Sequence, residues 1–182
     1  LFRSDYVESS QNRQDNYSNY VGRSIASLIP FQAINFANGL INKNIQLPHT
    51  DQKKTVILDL DETIIHSDFS LKFSDHDHTI TFISEGETIS VPIFIRPGLS
   101  VFLEKISENF EIVVFTASVK EYADAVLNYL DPENKYFQNR LYRDSCLNVS
   151  NRLFIKDLRI FNRSLENLII VDNLVHSFGL QI

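Results

Sequence analysis

A chain of 182 residues with 43% hydrophobic and 12% aromatic residues is the size of one domain and can bury one sizeable core. Its formal net charge of −6 argues against general attraction to nucleic acid or anionic lipid, so direct nucleic-acid binding is not expected and an anionic ligand has to be captured by local groups. The single cysteine, Cys146, excludes an internal disulfide and fits a reducing compartment, nuclear or cytoplasmic. A start at Leu1 and the lack of any methionine are expected of a piece of a longer gene product.

Residues 1–20 are rich in Ser, Asn, Gln, Asp and Arg, a composition that cannot order itself alone, and read as a tail or docked arm. The stretch 24–42 is uncharged, but Pro30, Gln32, Asn35 and Gly39 interrupt it, so no membrane span is expected. Two short amphipathic helices are expected there. Either Ile25, Leu28, Ile29, Phe31, Ile34 and their neighbours pack on the domain, or the segment is a partner-binding or membrane-surface helix. Residues 1–50 are thus an N-terminal extension, and 51–182 the catalytic domain.

From Thr55 the pattern is α/β. The runs Val56-Ile57-Leu58, Ile112-Val113-Val114-Phe115 and Leu168-Ile169-Ile170-Val171 have the unalternating apolar character of buried parallel strands. Between the first and second lies a segment of period two: Leu71 and Phe73, Ile80 and Phe82, then Ile89, Val91, Ile93 and Ile95. It predicts a small three-stranded antiparallel insert, with polar turns at 74–78 and 84–88. Helices are predicted at about 98–108, after Pro97, and at about 119–130.

Each strand run ends on a polar residue: Asp59, Thr116 and Asp172. Ligands of an open parallel sheet bind beyond the carboxyl ends of its strands, so these residues, far apart in sequence, are expected to meet in one crevice. Asp59 and Asp61 would repel each other there unless a divalent cation or a proton relieved them. Mg²⁺ takes hard oxygen ligands and keeps several waters, and Asp172 and Asn173 add oxygens. A carboxylate attacking phosphorus forms an acyl phosphate and splits one hard hydrolysis into two easier steps. A second carboxylate can protonate the leaving oxygen and later activate water. Thr116 and a lysine such as Lys156 supply donors for the phosphoryl oxygens.

The segment Asp59-Leu60-Asp61-Glu62-Thr63, followed by Ile64-Ile65-His66-Ser67, resembles motif I of the haloacid dehalogenase superfamily. More narrowly it is similar to the FCP/SCP-type, NLI-interacting factor-like phosphatases that act on the carboxy-terminal domain (CTD) of RNA polymerase II. Phe115-Thr116-Ala117-Ser118, Ile155-Lys156-Asp157-Leu158 and Val171-Asp172-Asn173 match the second, third and fourth motifs, and Arg96-Pro97-Gly98 and Arg143-Asp144-Ser145-Cys146 match further segments. The similarity covers roughly residues 53 to 182. It implies a haloacid dehalogenase-like open parallel sheet flanked by helices, with the antiparallel insert after strand 1. It also implies a Mg²⁺-dependent phosphoserine/phosphothreonine protein phosphatase working through an aspartyl phosphate on Asp59.

By the same resemblance Asp59 is nucleophile and metal ligand, and Asp61 is general acid/base and offers its backbone carbonyl to the metal. Thr116 and Lys156 hold the phosphoryl oxygens, and Asp172 and Asn173 complete the metal shell. Thr63 and Arg143 belong to the substrate side, while Val119 and Tyr122 line an adjacent apolar pocket. The implied partner is an extended phosphopeptide; the oligomeric state is left open. Alternatives are a small-molecule phosphatase of the same superfamily and a non-catalytic scaffold of the same fold. Two departures stand out. Leu174-Val175 replaces the family's usual Ser-Pro, and the chain stops at Ile182, before the strand and helix that normally close the fold, so the domain is expected to be incomplete at its C-terminus.

Other candidates carry plainer readings. His76 and His78 flank Asp77 in a predicted turn and read as solvated, His66 and His176 as structural hydrogen-bonding groups or pKa tuners. Cys146 lacks the Cys-x5-Arg loop of a cysteine phosphatase and reads as packing. Arg96 either anchors the nucleophile loop or forms a salt bridge, and Arg143 either contacts substrate or makes a structural pair.

Overall fold

Unbroken runs of Val, Ile and Leu are stable as strands when both faces are covered, and the three apolar runs lie side by side as parallel strands. The computed structural model describes residues 45–47, 54–70, 75–150 and 153–181. The expected tail and amphipathic helices of the extension, with Leu71 and Phe73, lie outside them. In chain order the described elements are β1 (Lys54–Leu58), β2 (Ile65–Ser67), β3 (His78–Ser84), β4 (Glu87–Ile95), α1 (Leu99–Ser107), β5 (Phe110–Phe115), α2 (Lys120–Leu130), β6 (Asn139–Leu141), β7 (Leu147–Ser150), β8 (Leu153–Ile155) and β9 (Leu168–Val171).

The main sheet runs β6-β5-β1-β9, all parallel. In the central strand, Leu58 sits between Val114 of β5 and Val171 of β9, so the residues that follow these strands emerge at one edge. Successive side chains point to opposite faces. Val56, Leu58, Ile112 and Val114 face one core with Leu99 and Leu103 of α1, Tyr122, Ala123, Val126 and Leu127 of α2, and Ile80, Phe82, Val91 and Ile93 of the insert. Ile57, Val113 and Phe115 face the other, closed by Leu47, Leu158, Ile160 and Phe161. Each fully buried aliphatic contributes about 1.5–3 kcal/mol.

The insert is a second, antiparallel sheet of order β2-β4-β3. Its β3–β4 hairpin turns at Glu85 and Gly86, both left-handed with φ of 52° and 84°, as a two-residue hairpin with the strands' twist requires. The first strand is Ile65–Ser67, where the sequence predicted Leu71 and Phe73. Ile65 is fully buried opposite Ile95, so pairing begins directly after the loop that carries Asp59 and Asp61.

Both predicted helices form, at Leu99–Ser107 and Lys120–Leu130. The second ends where the buried Asp131 carboxylate accepts the backbone N–H groups of Lys135, Tyr136 and Phe137 at 2.7–2.9 Å. That turn sends the chain into β6. β9 is an edge strand with Ile169 and Val171 exposed. Among the described residues, no helix is long and apolar enough to cross a membrane.

Candidate active site

The loop after β1 is built before it is catalytic. Asp59 N–H donates to Val171 O at 3.0 Å, extending the ladder with β9 by one bond, and Ile64 and Ile65 N–H both close on Leu60 O. Leu60 is fully buried, and Glu62 takes a left-handed φ of 62° to let the chain turn. From beyond β4, Arg96 donates through Nε to Thr63 O and through Nη2 to Glu62 O at 3.0 Å, and its backbone N–H reaches Ile64 O. Loop anchoring, one of the two readings open for Arg96, is observed.

Charge holds the first corner. Lys156, buried at the end of β8, donates through Nζ to Asp59 Oδ1 at 2.5 Å and to Asp172 Oδ2 at 2.6 Å. Its backbone N–H is fixed on Ser177 O at 2.6 Å. Asp172 Oδ1 accepts from Leu174 N–H at 2.8 Å, so the turn that departs from the family's sequence is still closed by its aspartate. Thr63 Oγ1 donates to Asp59 Oδ2 at 3.3 Å, which places this predicted substrate-side residue against the predicted nucleophile. Burial, the largest influence, raises the Asp59 carboxyl to about 6; the Lys156 charge opposes the rise and the Asp172 charge adds to it.

One ammonium between two buried carboxylates leaves a net negative charge. A divalent cation would neutralise it. Among the described residues no three His, Cys, Asp or Glu side chains cluster as a metal site. Mg²⁺ binds with one or two carboxylates and its own waters, so Asp59 and Asp172 fit it, with Asn173 exposed beside Asp172.

Neutral hydroxyls hold the second corner. Asp61 Oδ2 accepts from Ser118 Oγ at 2.7 Å, and Oδ1 accepts from Tyr122 OH at 2.7 Å and from Ser67 Oγ at 3.2 Å. The Ser67 and Tyr122 hydroxyls also touch each other. Thr116 is buried after β5, where its N–H donates to Leu141 O and its Oγ1 accepts from Ser118 N–H at 3.0 Å, fixing the hydroxyl while leaving its proton to donate.

Arg143 is exposed, donates to Ala117 O at 2.7 Å and lies 5.1 Å over the Phe154 ring; it braces the loop that carries Thr116. Val119 is half-buried at the start of α2. The Tyr122 ring packs on Phe82 and Phe69 at 5.5 and 5.8 Å between centroids, and Phe69 is 64% exposed, giving an apolar wall beside the hydroxyl corner. Cys146 is buried with Sγ 3.7 Å from Thr116 O. His78 stacks on Tyr129 at 3.8 Å, His76 bonds Thr79, and His66 pairs with Glu62 against Phe94. Burial lowers the His176 pKa.

The site residues read from sequence therefore gather into two groups: Asp59, Thr63, Lys156 and Asp172, and Asp61 with Tyr122, to which Ser118 ties Thr116. Sequence reasoning gave no role to Ser67, Ser118, Phe69 or Phe82. Ser67 and Ser118 stood within quoted motifs, but Ser67 and Tyr122 are 55 positions apart, and nothing local announces their contact.

The sequence profile described as NLI interacting factor-like phosphatase matches residues 54–182. CTD small phosphatase-like protein 2 of Dictyostelium discoideum is 40% identical over 136 residues, 74% of this chain and 23% of that protein. Phosphatase PSR1 of Saccharomyces cerevisiae is 40% identical over 134 residues, 71% of this chain and 31% of that protein. The solved structure of the fission yeast RNA polymerase II CTD phosphatase Fcp1 bound to beryllium fluoride aligns with a TM-score of 0.58 and 27% identity, covering 70% of this chain and 39% of that one. The chain thus spans well under half the length of these relatives. With its parallel sheet, separate antiparallel insert and matching sequence, the chain belongs to the NLI interacting factor-like phosphatases, the CTD-phosphatase branch of the haloacid dehalogenase superfamily.

Proposed function

We propose that this chain is the catalytic domain of a Mg²⁺-dependent phosphoserine/phosphothreonine protein phosphatase acting on an extended segment such as a polymerase CTD. The observation that carries the reading is the pair of corners: a buried, charge-paired Asp59 beside an Asp61 held by hydroxyls.

Asp59 Oδ2, the oxygen not engaged by Lys156, attacks phosphorus and forms the aspartyl phosphate. Asp61 gives a proton to the departing serine or threonine oxygen, then takes one from the water that attacks the acyl phosphate, releasing inorganic phosphate and restoring both carboxyls. Lys156 and the Thr116 hydroxyl donate to the phosphoryl oxygens as charge builds on them. Mg²⁺, held by Asp59, Asp172, Asn173 and the Asp61 carbonyl, supplies charge neutralisation at those oxygens when bound.

A small antiparallel insert with an apolar wall of Phe69, Phe82 and Tyr122 suits an extended peptide better than an enclosed metabolite. The CTD phosphatases among its relatives point to the same substrate class. The domain is taken as 51–182, with 1–50 as its extension, working in the nucleus or cytoplasm.

Purified protein with Mg²⁺ is expected to hydrolyse aryl phosphates and phosphoserine peptides, to stop in EDTA, and to recover on Mg²⁺ addition. Turnover of a metabolite panel without any phosphopeptide turnover would overturn the substrate class. A folded, Mg²⁺-supplied protein that hydrolyses nothing would be a scaffold.

A further inference from the structure

We propose that Tyr122, Ser67 and Ser118 are positioning residues that aim the Asp61 carboxylate, and that the insert thereby forms part of the proton-transfer machinery. The inference rests on reading Asp61 as the general acid/base.

The three hydroxyls come from three separate elements: Ser67 from β2 of the insert, Ser118 from the loop after β5, and Tyr122 from α2. They take both carboxylate oxygens, Ser118 on Oδ2 and the other two on Oδ1. A carboxylate gripped from both oxygens loses rotation about its side-chain torsions, and an acid/base group must stay within hydrogen-bond reach of the oxygen it serves. Tyr122 is itself aimed. Its residue is 3% exposed, and its ring is wedged against Phe82 of β3 and Phe69, so the hydroxyl has one place to point. The Ser67 and Tyr122 hydroxyls also meet each other; with two protons for three contacts, one hydroxyl donates to Asp61 Oδ1 while the other donates either there or to its neighbour, and either arrangement ties insert, helix and acid together. Neutral donors suit this task, since they orient the group without the fixed cation that Asp59 has in Lys156.

The test measures kcat/KM with Mg²⁺ for wild type, Tyr122→Phe, Ser67→Ala, Ser118→Ala, Asp61→Asn and the Tyr122→Phe/Asp61→Asn double variant. Substrates run from 2,4-dinitrophenyl phosphate, whose leaving group needs no proton, through phenyl phosphate to a phosphoserine peptide, whose leaving group does. Tyr122→Phe keeps the ring and loses only the hydroxyl. It is expected to lower kcat/KM about tenfold or more on the peptide and several-fold less on the dinitrophenyl ester, with the serine variants following the same slope more weakly. In the Asp61→Asn background, Tyr122→Phe is expected to cost nothing further.

Equal loss on every substrate, or full additivity with Asp61→Asn, would overturn the positioning role while leaving Asp61 as acid/base. If Asp61→Asn itself lost activity equally across the leaving groups, the acid/base reading would fall and this inference with it. Thermal midpoints check folding, and if Tyr122→Phe does not fold, the two serine variants decide by the same slope and additivity.

Discussion

Asp59 and Asp61 are separated by one residue in the chain, and the fold gives them opposite kinds of neighbour. Asp59 meets an ammonium and a second carboxylate in a buried pocket between β1 and β9. Asp61, past the turn at Leu60, meets three hydroxyls from the insert, the β5 loop and α2. The contrast teaches how one motif gives one residue type two different environments. On the proposed reading, charge in a desolvated pocket fixes the nucleophile and favours a cation, at a cost in stability when none is bound. Rotatable neutral donors orient the group to which the proposal gives proton exchange.

The largest expected effect separates the corners by chemistry. Asp59→Asn is nearly isosteric but cannot form the acyl phosphate, so turnover is expected to fall below about one per cent of wild type. Asp61→Asn removes proton transfer and is expected to cost about 10²–10⁴-fold while retaining the nucleophile. Acid quenching after incubation with ³²P-labelled phosphopeptide should therefore leave hydroxylamine-sensitive label on Asp61→Asn and none on Asp59→Asn. Label on the Asp59 variant would move the nucleophile elsewhere and erase the contrast.

Next comes the cation that defines the first corner. Lys156→Met keeps much of the apolar stem and deletes the charge, leaving Asp59 and Asp172 buried together without their common partner. Removing one member of such a buried group costs about 3–5 kcal/mol, read as a fall in urea midpoint at pH 7 in EDTA. A midpoint within about 1 kcal/mol of wild type would mean that solvent, and not Lys156, balances these carboxylates.

How far this contrast was legible in the sequence follows from what each corner is made of. Val56-Ile57-Leu58 ahead of Asp59, and Leu168 to Val171 ahead of Asp172, gave strands and strand ends together, because a parallel strand declares itself as an apolar run even where, as in β9, it ends up at the sheet edge. The motif resemblance supplied Lys156, a lysine that composition alone places on the surface. The hydroxyl corner was hidden for the opposite reason. Serine is common in loops, and Ser67 gains its role only from the register of β2 on β4 and from α2 lying across the insert. The described insert strand at Ile65–Ser67 went unread, because it is three residues long and follows a motif with no period-two run of its own. β6, with Asn139 and Arg140 in its three residues, carries no apolar run to read.

The smaller effects concern stability and pH. In metal-free protein the Asp59 carboxyl lies at about 6 against an ordinary 3.8. Between these values the native state binds more protons than the unfolded state, so stability falls as pH rises from about 4 to 6 and stays lower above it. A shift of about two units is worth roughly 3 kcal/mol. The contribution is isolated as the difference in unfolding free energy between Asp59→Asn and wild type in EDTA. That difference is expected to grow in favour of the variant across this window, and Mg²⁺ is expected to shrink it by stabilising only wild type. A difference that stayed flat with pH would deny that burial of the Asp59 carboxylate sets this corner. At the other corner, Asp61→Asn still offers Tyr122 and Ser67 an oxygen, and its amide can donate to Ser118, whose hydroxyl turns to accept. Its midpoint at pH 7 is expected to move by less than about 1 kcal/mol, and a shift as large as that of Asp59→Asn would show that charge governs both corners.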